Sequence, residues 1–170
     1  MAPEGTWYRL FPSFPVVMVT VEHGSSRNII TLGMVHIFSF DPPIIGIGVS
    51  PKRHSFEMIK ESGEFVLNIP SKELVPQTLF CGIKSGSKID KFKETGFSAV
   101  KADTVNAPLI EDCPVNIECK VVQEIVVGDH TWFFGRVQKI HMNESYKRDD
   151  ALTYWSGEFR MMGELVGKRD

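Results

Sequence analysis

With 170 residues, 42% of them hydrophobic and 24% charged, the chain has an ordinary globular make-up and the length for a core of its own. A net charge of -2 gives no electrostatic footprint for nonspecific nucleic-acid or membrane-surface binding, and no run approaches the roughly 18 consecutive apolar residues of a membrane span. Residues 1–6 lack the basic and apolar regions of a secretion signal, which leads to the expectation of a cytoplasmic protein, and the absence of linkers or repeats leads to that of one domain over residues 1–170.

In chain order, segments rich in β-branched and aromatic residues and bounded by Gly, Pro, Asn or Asp predict strands over residues 16–22, 29–37, 44–49, 65–69, 115–126 and 131–141, with a short one at 158–162. Gly24-Ser25-Ser26 and Gly128-Asp129-His130 read as hairpin turns, so their flanking strands are antiparallel neighbours. From 115 to 121, Val, Ile, Cys and Val alternate with Asn, Glu and Lys, the period of a half-buried strand. Helices are few: residues 56–62, stopped by Ser62-Gly63, then 72–80 behind Ser71, and a short turn at 90–93 ended by Gly96. The fold class that follows is mainly β: an antiparallel barrel with a few short helices in its connections.

Three polar clusters break this pattern. Asp41-Pro42-Pro43 turns into the apolar run 44–49, which ends in Ser50-Pro51-Lys52-Arg53-His54-Ser55 just before a helix. Hydroxyls, two cations, an imidazole and free helix N–H groups then converge, which suits a phosphate as well as it suits a solvated surface. Residues 81–92, Cys-Gly-Ile-Lys-Ser-Gly-Ser-Lys-Ile-Asp-Lys-Phe, form a second cluster. Its glycines allow a close-fitting loop and its lysines supply positive charge, though a mobile surface loop has the same composition. The third cluster, Ser25 to Thr31, takes a polar turn into a strand, where Asn28 serves a ligand or the turn alone.

Other chemistries fail on spacing. Neither a His-x-x-x-His nor a Cys-x-x-Cys pair occurs, so no metal site is expected. Cys113 and Cys119 lie too far apart along an extended segment to bridge, and with Cys81 they read as free thiols. Gly46-Ile47-Gly48 lies inside an apolar run and does not open a helix, so it marks a close backbone approach or a bulge and no Rossmann nicotinamide domain.

In this order the clusters resemble the flavin reductase-like family with its FMN-binding split barrel, of Greek-key type, in the flavoredoxin and ferric reductase-like branch. The matching text is Phe14-Pro15-Val16-Val17-Met18-Val19-Thr20, Asn28-Ile29-Ile30-Thr31, Asp41-Pro42-Pro43 with Arg53-His54-Ser55, Ser62-Gly63-Glu64-Phe65, Cys81-Gly82 with Ser85-Gly86 and Asp90-Lys91-Phe92, and Gly128-Asp129-His130. The resemblance implies an FMN phosphate against Arg53, His54 and Ser55, reached by Lys91 and helped by Ser50. It implies an isoalloxazine ring along the backbone of Asn28, Ile29, Ile30 and Thr31. It further implies that Cys81, Gly82, Ser85 and Gly86 close over the ribityl end, that His130 stands on the nicotinamide side, and that the protein is a homodimer. Arg53 and Lys91 are expected to be surface cations. Ser55 stands where many relatives carry Thr, and the tail 151–160, with Tyr154 and Trp155, matches the branch only loosely.

The expected activity is reduction of flavin by NAD(P)H, bound transiently against the flavin, with electrons passed to free flavin, a ferric complex or a redox partner. An FMN-binding electron carrier or sensor without NAD(P)H turnover needs the same site and stays open. A nucleic-acid-binding barrel is disfavoured by the acidic balance and by the lack of interleaved basic and aromatic residues.

Overall fold

The computed structural model describes residues 5, 7–144, 146–155 and 157–168. Residues 1–4 and 6, on which the reading of a leader-free start rests, lie outside these. The strands are β1 (Phe14–Pro15), β2 (Val17–His23), β3 (Ser26–Leu32), β4 (Val35–Phe40), β5 (Pro43–Val49), β6 (Glu64–Ile69), β7 (Ala99–Val100), β8 (Leu109–Ile110), β9 (Val115–Val127), β10 (His130–Met142), β11 (Leu152–Trp155) and β12 (Glu158–Met161). The helices are α1 (His54–Ser62), α2 (Val75–Ile83) and α3 (Lys91–Thr95).

Seven strands form one antiparallel sheet in the order β3-β2-β6-β9-β10-β5-β4, as the mainly β, split-barrel reading requires. Both hairpin turns fall where expected: β2 pairs with β3 around Gly24, and β9 with β10 around Gly128. Period-2 alternation sends Val17, Val19 and Val21 to one side of β2, where they pack with Ile47, Phe56, Phe65 and Phe133 in the main core. Met18 points to the other side and packs with Ile29, Cys81 and Phe92 beneath α2 and α3. Strand β2 is thus buried on both faces from Val17 to Val21, where Thr20 alone interrupts the apolar text.

The single strand expected over 29–37 is two strands, β3 and β4, separated at Gly33-Met34. The break lets β4 leave β3 and pair with β5 at the far edge of the sheet. The glycines of β5 admit the neighbours that cross it: a Cβ on Gly46 would lie 2.5 Å from the Phe38 ring, and one on Gly48 3.0 Å from Met34 Cβ. Close approach is therefore the reason for the Gly46-Ile47-Gly48 pattern. Residues 72–80 divide into a 3-10 turn (Lys72–Leu74) and α2, which carries Pro76 in its first turn and runs on to Ile83. Helix α1 ends on Gly63 in the left-handed conformation, φ 66°, as its Ser-Gly signal predicts. The C-terminal hairpin, β11 with β12, joins β1 in a second small sheet; β11 escaped the sequence reading. Cys81, Cys113 and Cys119 are free and buried.

Candidate flavin site

Helix α1 begins at the end of β5. Arg53 is its N-cap residue in extended conformation, with no side-chain cap, and its N–H donates to Ser50 O at 2.9 Å. The first turn therefore presents uncapped N–H groups beside Arg53, His54 and Ser55. A cleft opens there, bounded by Asn28 and Ile30 of β3, Arg53, His54 and Ser55, the segment Cys81 to Gly86, and Lys91. Lys52 and Lys84, not among the expected site residues, add two further cations. The three sequence clusters thus meet at one place.

Asn28 is buried and donates from Nδ2 to Ser55 Oγ at 2.7 Å. Gly86 lies directly over Asn28: a Cβ there would sit 2.1 Å from Oδ1. Thr31 Oγ1 donates to Thr78 O at 2.6 Å, bringing α2 onto β3, and a Cβ on Gly82 would meet the Thr31 side chain at 3.4 Å. These close contacts form a cradle in which glycine hydrogens take the place of side chains.

Lys91 departs from expectation. It is 4% exposed, not a surface cation, and Nζ donates to Ile29 O at 2.6 Å and to Cys81 O at 2.7 Å. Burial holds its pKa down at about 8; the Cys81 thiol opposes that shift and the Arg53 charge adds to it. The sequence made Lys91 look exposed because it sits between Asp90 and Lys93 in a polar run; what buries it is the placement of α3 against β3 and α2. The Cys81 side chain itself lies in the core, and burial pushes its thiol up to about 11, so it reaches the cavity without being reactive.

Three other expected residues stand apart: Ile29, which is fully buried with its carbonyl taken by Lys91 and has no part in the cavity wall, Ser50 and His130. Ser50 shapes the turn by accepting from Arg53 and does not border the cavity. His130 lies one residue beyond the Thr131–Val49 pair, at the same end of the sheet as the turn, with Nδ1 2.8 Å from Asp129 Oδ1 and no part in the cavity wall.

A second cavity adjoins the first, sharing Arg53, Gly82 and Ile83. Its wall is largely apolar: Val16 between β1 and β2, Leu32 on β3, Leu79 on α2, and Tyr154 and Phe159 facing each other across the C-terminal hairpin. Only Tyr154 was noted from sequence; Phe159 carried no signal because its strand partner was not foreseen. The combined cleft is cationic at one end and apolar at the other.

Residues 8–163 match the flavin reductase like domain model. The chain belongs to the flavin reductase-like family. A protein of Pyrococcus abyssi is 35% identical over 130 residues, 76% of this chain and 74% of that protein. The NADH-dependent flavin reductase of a Rhodococcus species is 27% identical over 147 residues, 86% and 73% of the two chains. Flavoredoxin of Desulfovibrio vulgaris (Miyazaki F) has the same fold, with a TM-score of 0.83 and 28% identity over 92% of this chain and 90% of that one. Membership in the flavin reductase-like family supports a flavin-related oxidoreductase function.

The cleft fits a flavin mononucleotide on its own chemistry. The uncapped start of α1 and its surrounding cations suit a phosphate monoester, and the apolar end suits a planar ring. Among the described residues no helix is long and apolar enough to cross a membrane.

Proposed function

We propose that the chain is an FMN-dependent oxidoreductase that takes reducing equivalents from NAD(P)H and passes them to a small acceptor such as free flavin, a ferric complex or a redox partner. The observation that carries this reading is the division of one cleft into a cationic end at Arg53, His54 and Ser55 and an apolar end closed by Tyr154 and Phe159. FMN has the same division between phosphate and ring.

In this reading Arg53, His54 and Ser55 take the phosphate, and the loop carrying Ser85 and Gly86 covers the ribityl chain. Ile30, which borders the cationic end, and Thr31, which borders the apolar end, lie along the ring. Bound flavin supplies the redox chemistry. The chain's residues bind and orient it and keep water from its ring, a task that requires no strong acid or base. His130 is proposed to flank the nicotinamide approach, and the NADH dependence of the Rhodococcus relative supports that donor class. The proposal takes the protein to act as one split-barrel domain over residues 1–170, in a cytoplasmic homodimer; sedimentation velocity tests the last.

The deciding experiment mixes FMN-loaded protein with NADH or NADPH under anaerobic conditions and follows visible flavin absorbance. Bleaching on the timescale of turnover is expected. A yellow protein that stays oxidised with both donors is a carrier or sensor, and a protein that takes up no FMN sinks the reading altogether.

A further inference from the structure

Lys91 is the one lysine or arginine among the buried polar residues described, and its hydrogen bonds among the described residues go to carbonyls, not to a carboxylate. Two of its three N–H groups are used on backbone carbonyls belonging to different elements. Ile29 O lies on β3, the open edge of the seven-stranded sheet, where no further strand is available to donate to it. Cys81 O is one of the last four carbonyls of α2, which have no partner within their own helix. An ammonium at that position also complements the negative end of the helix. A residue from α3 thus caps α2 and covers the edge of β3 with one atom.

We propose that Lys91 is a positioning residue: it staples the edge of β3 to the C-terminal end of α2 and thereby fixes the opening between the Asn28 wall and the 81–86 wall of the cleft. The inference rests on the flavin reading for its ligand and on the two carbonyl contacts for its mechanism. A phosphate ligand acts on the phosphate alone. A staple acts on everything that lies between the two walls, including the part of the ligand that has no phosphate.

The test is Lys91→Met, which keeps the side chain's length and removes every donor, assayed with FMN and with riboflavin, which lacks the phosphate. Riboflavin affinity is expected to fall about tenfold, the effect of roughly one lost charge-assisted hydrogen bond. In the ligand-free variant, backbone amides of residues 81–86 are expected to exchange faster while those of β9 and β10 keep their rate, which separates loosened walls from general destabilisation. Unchanged riboflavin affinity with unchanged exchange overturns the proposal; if FMN binding is weakened at the same time, Lys91 is a phosphate ligand. If Lys91→Met does not fold, Lys91→Gln, which retains one amide donor group, takes its place under the same criteria. If wild-type protein binds neither flavin, the flavin reading fails, and the exchange measurement on ligand-free protein alone decides for or against the staple.

Discussion

Asn28 and Ser55, both buried, are joined by a 2.7 Å hydrogen bond from Nδ2 to Oγ that connects the edge strand β3 to the first turn of α1. Because Ser55 Oγ accepts this bond, its own proton remains to be donated into the cavity that it borders. Ser55→Ala removes that donor and leaves the Asn28 amide buried without its acceptor. Stability is expected to fall by about 1–3 kcal/mol. FMN affinity is expected to fall at least about tenfold, read by quenching of flavin fluorescence. Wild-type affinity in this variant would remove Ser55 from the site.

Gly86 tests the cradle by volume alone. A methyl group there collides with Asn28 Oδ1, and Asn28 cannot swing away without breaking its bond to Ser55. Gly86→Ala therefore displaces the 81–86 loop outward. Weaker FMN retention with melting behaviour close to wild type is the expected result; unaltered retention would show that the loop does not cover the ligand.

Arg53 is exposed and borders both cavities. Its replacement by Ala should change stability by no more than about 0.5 kcal/mol, the range of surface substitutions. FMN affinity should drop by roughly 10- to 100-fold, as for loss of a charge-assisted contact. Dialysis followed by absorbance of the retained flavin measures this directly.

Glu118 predicts acid sensitivity far from the cleft. Its fully buried carboxylate accepts from Asp103 N at 3.0 Å, Thr104 N at 2.6 Å, the Thr104 hydroxyl and His141 Nε2 at 2.6 Å. Burial alone would push its pKa up, but these bonds, led by the Thr104 hydroxyl, hold it down at about 2. A depressed carboxyl stabilises the fold above its ordinary value of 4.5 and loses that contribution as pH falls from there toward 2. Wild-type protein should therefore lose stability more steeply over that window than Glu118→Gln, by on the order of 2–3 kcal/mol. Parallel acid-unfolding curves for the two proteins would contradict the assignment. The same four donors, with Lys139 paired to Asp103, account for the Asp103, Glu118 and His141 cluster without a metal.

The clusters at 28–31, 53–55 and 81–86 were legible because each combines turn-forming residues with donors, and local chemistry of that kind is written in consecutive residues. Burial was not legible. Lys91 looked like a surface cation since nothing within α3 says that β3 and α2 will lie against it, and Ser50 looked like a ligand since it sits in the same polar run as Arg53, whereas its carbonyl closes the four-residue turn Ser50 to Arg53. The break at Gly33-Met34 was hidden by continuous β-branched text on both sides; only the destination of β4, beside β5, requires it. The apolar end of the cleft was the least visible part. Tyr154 and Phe159 become a wall through the pairing of β11 with β12, whereas period-2 signals in strands of four residues are too short to announce themselves.

The contacts that shape the cleft join positions far apart in the chain: Asn28 to Ser55 across 27 residues, Thr31 to Thr78 across 47, and Lys91 to Ile29 across 62. Each closes a long loop, whose entropic cost is met only after the sheet that supports it has paired. No contiguous fragment shorter than the span from Val16 to Phe159 contains the whole cleft. During refolding, the recovery of flavin fluorescence quenching should consequently lag behind the recovery of backbone circular dichroism, so that cofactor capture reports the last stage of assembly.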